Sequence, residues 1–84
     1  MTRAEIRDEI HDKLTDMVLE ILTAKEGKNE DYTEREARCV LDGAKEIAIL
    51  AGYINEDEMR GIWKDTKAMF EQWKEKEARK NENH

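Results

Sequence analysis

The chain has 84 residues, with 21 acids against 15 bases, a net charge of −6, 43% charged residues, one cysteine and no proline. That length allows a single domain, and one so small that it removes only about 60% of its unfolded surface from water, so self-association or a partner would help its core. The acidic balance argues against generic binding to a phosphate backbone, Cys39 has no internal disulfide partner, and no apolar run reaches the roughly 20 residues of a bilayer span. The stretch MTRAEIRDEIHDK is charged throughout, unlike a secretion signal, so a cytoplasmic protein is expected.

High charge with low hydrophobicity also describes disordered chains, but here the apolar residues recur at helical intervals, and the Ala, Glu, Lys, Leu and Ile content favours helix. The first helix is predicted over 3–26. It opens on Thr2 with Glu5, the spacing of a capping box, in which the hydroxyl accepts from the N3 amide and the N3 acid accepts from the cap's own N–H. Ile6, Ile10, Leu14, Met17, Val18, Ile21 and Leu22 form one broad apolar stripe, and Gly27 stands where a left-handed residue closes the helix. The polar loop GKNEDY follows.

Thr33 with Glu36 repeats the box and opens a second helix, predicted over 34–51 and closed by Gly52. Ala37, Leu41, Ala44, Ala48 and Ala51 keep steps of four and three, a thin seam that lets a neighbour come close. The rings of Trp63, Phe70 and Trp73 are its expected complement, which would make this the central helix. Cys39, Gly43, Ile47 and Leu50 fall on a second edge, and Gly43 costs about 1 kcal/mol relative to alanine inside a helix unless something packs closely on it. With Trp73, these residues form the expected interface of a homodimer.

Asn55 with Glu58 gives a third capping signal, for a helix over 56–79 with a frayed tail at 80–84. Acids at 56–58 and bases at Lys74, Lys76, Arg79 and Lys80 suit its macrodipole. Hydrophobic staples are expected for Met1 with Ile6, Tyr32 with Ala37 and Ile54 with Met59. The fold class is therefore all-α, a three-helix bundle or helical hairpin type of domain over 1–84, expected to dimerise.

Chemistry-bearing patterns are sparse. Glu5, Asp8, His11 and Asp12 converge at i, i+3 and i+4 spacings that suit a divalent metal, but a charged face opposite an apolar stripe is more often solvated. Asp42 with Glu46 imitates half of the paired acids by which all-α nucleotide pyrophosphatases bind magnesium, without a second pair to face them. A helix-turn-helix reading fails at its N-terminal reading end, where Glu56, Asp57 and Glu58 would repel phosphates. Nucleic-acid binding would instead fall to the basic C-terminal half of the third helix, including Lys64 and Lys67.

The remaining reading is a cofactor-free, non-catalytic interaction protein of binding, inhibitory or regulatory type, comparable in size and charge to phage-encoded inhibitors of nucleic-acid-handling or defence proteins. Such a protein would occlude a basic surface on another protein. Its candidate face is Glu5, Asp8, Glu9, Asp12, Asp16 and Glu20 on the first helix, extended by Glu30 and Asp31 in the loop. Neither nucleic acid nor membrane is an expected partner.

Overall fold

A computed structural model describes residues 1–82 of the chain. It holds three helices, α1 (Arg3–Lys25), α2 (Glu34–Leu50) and α3 (Glu56–Glu82), and no strand among the described residues. The predicted starts of all three coincide with the observed ones. At the far end α3 continues to Glu82, beyond the predicted 79, so residues 80–82 of the tail expected to fray over 80–84 are helical, and 83–84 lie outside the described residues.

Two of the three starts are full capping boxes. The Glu5 N–H donates to Thr2 Oγ1 at 3.2 Å while Thr2 N–H donates to Glu5 Oε1 at 3.3 Å, and Thr33 with Glu36 repeats this at 3.2 and 3.1 Å. At the third start the Glu58 N–H donates to Asn55 Oδ1 at 2.8 Å, but the Glu58 carboxylate is engaged by Arg7 of α1. The acid predicted to complete a local cap thus joins α3 to α1.

Both interhelical turns close as Schellman motifs. The Lys28 N–H donates to Thr23 O and Gly27 N–H to Ala24 O; the Tyr53 N–H donates to Ala48 O and Gly52 N–H to Ile49 O. Gly27 and Gly52 take φ of 71° and 77°, where a Cβ is strained.

The order of packing differs from the sequence expectation. α1 packs against both other helices, whereas α2 and α3 barely touch each other, so α1 and not α2 is the central helix. The reason lies in the width of its apolar stripe. Ile10, Leu14 and Met17 meet α2, while Leu19 and Leu22 border α3, and Leu14, Val18 and Ile21 between them are fully buried.

The alanine seam does face inward, with Ala37, Leu41 and Ala48 buried, but Ala44 and Ala48 lie beside Ile10, Leu14 and Met17 of α1 rather than beside the rings of Phe70 and Trp73. Small side chains on α2 accommodate long aliphatic ones on α1, the same complementarity with another partner. Ala51, at the end of the seam, is exposed. The rings also go to α1: Phe70 is buried, Trp63 is half-buried against the core, and Trp73 stacks on Phe70 with centroids 5.8 Å apart.

Candidate functional site

The expected acidic face lies on the outer side of α1, opposite its buried stripe. Asp8, Glu9, Asp12 and Asp16 are exposed there, at helical spacings that keep them on one side. Glu5 is exposed as well but held by its capping box, and Glu20 is half-buried. Glu30 and Asp31 are exposed in the α1–α2 loop, which is pinned beside Glu20 by a residue the sequence reading passed over. The Asn29 amide donates to Glu20 O and Thr23 Oγ1, both at 3.2 Å, and its Oδ1 accepts from the Asp31 and Tyr32 N–H groups at 2.9 Å. An asparagine two residues after a C′ glycine was the available signal, since its side chain readily closes a turn on its own backbone.

The expected dimer residues divide into two patches. On α2, Cys39 and Gly43 are exposed, Ile47 is 70% exposed and Leu50 80% exposed. A Cβ placed on Gly43 would meet nothing within 4 Å, so no intrachain contact accounts for this glycine. Val40, expected from its spacing in the sector of the alanine seam, is 42% exposed and completes the stripe: Val40, Gly43, Ile47 and Leu50 run at steps of three, four and three. Beside this ridge lies a groove of about 360 Å³ between α1 and α2, lined by Ile10, Met17, Ala44 and Ala51.

Trp73 belongs elsewhere. It is 46% exposed on α3 and borders a recess of about 280 Å³ with Leu19, Thr23, Met69 and Phe70, while the Lys28 ammonium lies 5.6 Å from its ring centroid.

Ion pairs account for some of the charged residues. Lys74 bonds Glu26 at 2.8 Å, which lowers the Glu26 carboxyl below its usual range and raises the Lys74 ammonium above its own. The Glu36 carboxyl is lowered chiefly by the Thr33 backbone N–H. Lys76, Arg79 and Lys80 are exposed on the outer length of α3. Asp42 and Glu46 border a shallow depression with Lys45 and Glu56, and among the described residues no group of three or more His, Cys, Asp or Glu is arranged to hold a metal ion. No helix of the described residues is long and apolar enough to cross a membrane.

Fold and surface together define an all-α three-helix protein with an apolar ridge on α2 and an acidic outer face on α1. No protein-family model, no curated protein and no solved structure matches the chain.

Proposed function

We propose that the chain is a small helical interaction protein that pairs with a second copy of itself through the ridge on α2 and offers the acidic face of α1 to a basic surface on another protein. It acts by occupying that surface, without catalysis or cofactor. The observation that carries the reading is the exposure of Ile47 and Leu50 in line with an open Gly43.

A second copy suits this ridge because the stripe is self-complementary. Val40 lies three residues before Gly43 and Ile47 four residues after it, so antiparallel helices crossing at Gly43 bring each Val40 against the partner's Ile47. Glycine at the crossing lets two backbones approach, which gives this residue the role that intrachain packing leaves open. Burying the ridge also adds apolar area to a core that is small by itself. Isotope-filtered nuclear Overhauser spectra on a mixture of labelled and unlabelled chains test the pairing. Contacts between Val40 methyls of one copy and Ile47 methyls of the other are expected; their absence at millimolar protein removes this interface.

The acidic face rests on Asp8, Asp12 and Asp16, exposed together on α1. A basic protein captured by the wild type should be lost when these three become lysine, because the long-range attraction reverses sign. Retention of the complex would place its contacts elsewhere.

A further inference from the structure

A recess of about 610 Å³ lined by residues of all three helices opens over Ile21, Leu22 and Trp63, within the roughly 300–1,000 Å³ range of small-molecule pockets. Its rim carries Lys25 from α1, Arg38 from α2, and Arg60 and Lys67 from α3. No carboxylate lines it, in a chain whose net charge is −6. Local and overall charge are therefore of opposite sign.

Two of the four rim cations are uncommitted and two are held only by exposed pairs. Lys25 and Lys67 are exposed and make no ion pair among the described residues. Arg38 pairs with Glu34 at 3.4 Å on its own helix, and Arg60 pairs with Asp57 one turn away. Exposed pairs of this kind are weak, and a polyanion offering several oxygens at once would displace them.

We propose that this recess binds a nucleoside polyphosphate free in solution. Arg60 and Lys67 stand two turns apart on α3, about 10 Å along the axis, and bracket Trp63 between them. Together with Arg38 and Lys25 they spread positive charge over a span that several linked phosphates match better than a single one. Trp63 is half-buried, so its ring is held by the core while still lining the recess, and it offers a flat apolar surface to a base. Arginine suits the phosphates because its fork takes two oxygens at once. This site is independent of the ridge on α2 and of the acidic face on α1.

The two tryptophan indole N–H resonances of the wild-type chain provide the test, assigned with a Trp73→Phe variant. On titration with ATP the Trp63 indole signal should move saturably while that of Trp73 stays in place. Tripolyphosphate alone and adenosine alone should each bind at least tenfold more weakly. Charge reversal by Arg38→Glu with Lys67→Glu should lower ATP affinity by tenfold or more while leaving the far-ultraviolet circular dichroism unchanged, since both side chains are exposed. No saturable movement of the Trp63 signal up to about 1 mM ATP, the weakest affinity the proposal allows, overturns it. So does movement of the Trp73 signal only, or a single-stranded oligonucleotide that binds more tightly than ATP.

Discussion

Single side chains at the helix ends decide much of this fold, because a small domain has few other contacts to rely on. Thr33 accepts from the Glu36 N–H and its own N–H is accepted by the Glu36 carboxylate. Replacing Thr33 by alanine should cost about 1 kcal/mol, read by urea denaturation. The same box sets part of the pH response. Glu26 and Glu36 both have carboxyl groups lowered in the folded chain, the first by Lys74 and the second by Thr33. A lowered carboxylate stabilises above its unfolded pKa, and that contribution disappears as pH falls through the folded value, so stability should decline on acidification below the ordinary glutamate range. Lys74 has the opposite sign: its raised pKa contributes below the unfolded lysine value and is lost at more alkaline pH. Both groups of the Glu26–Lys74 pair are partly exposed and screened by water, so Lys74→Met should flatten the acid limb modestly rather than remove it.

At the scale of the elements, helix starts and stops were legible in the sequence because they depend on residues a few positions apart. Thr2, Thr33 and Asn55 open the helices, and Gly27 and Gly52 close the first two. Gly52→Ala should destabilise by about 1 kcal/mol or more, since φ of 77° strains a Cβ. Which helix lies in the middle was not legible. The alanine seam on α2 and the ring stripe on α3 are complementary in size, but each is also complementary to α1, and periodicity gives the face of a helix without naming what it meets. The candidate interface was legible in part for the same reason: Cys39, Gly43, Ile47 and Leu50 share an edge by spacing alone, whereas separating Trp73 from that edge needed the tertiary arrangement. Gly43 carries a separate prediction. Its Cβ position is open, so Gly43→Ala should raise the stability of the isolated chain by up to about 1 kcal/mol while weakening self-association, measured by denaturation at low and high protein concentration.

For the whole molecule, a central α1 means that truncations there should be the most damaging. Leu14 is 1% exposed, and Leu14→Ala should cost about 3 kcal/mol, enough to unfold much of a domain this small, whereas truncating the outlying Ile47 should leave the monomer folded. The proposed pairing through α2 would have to overcome repulsion between two chains of charge −6, so added salt should tighten it. Sedimentation equilibrium across a range of protein and salt concentrations measures this pairing directly. Pairing through α2 predicts that the 9.9 kDa chain approaches twice its mass, more readily in salt, and that Leu50→Asp returns it to a single mass without unfolding it. A wild-type chain that stays at 9.9 kDa throughout, or a Leu50→Asp chain that still doubles, would contradict it.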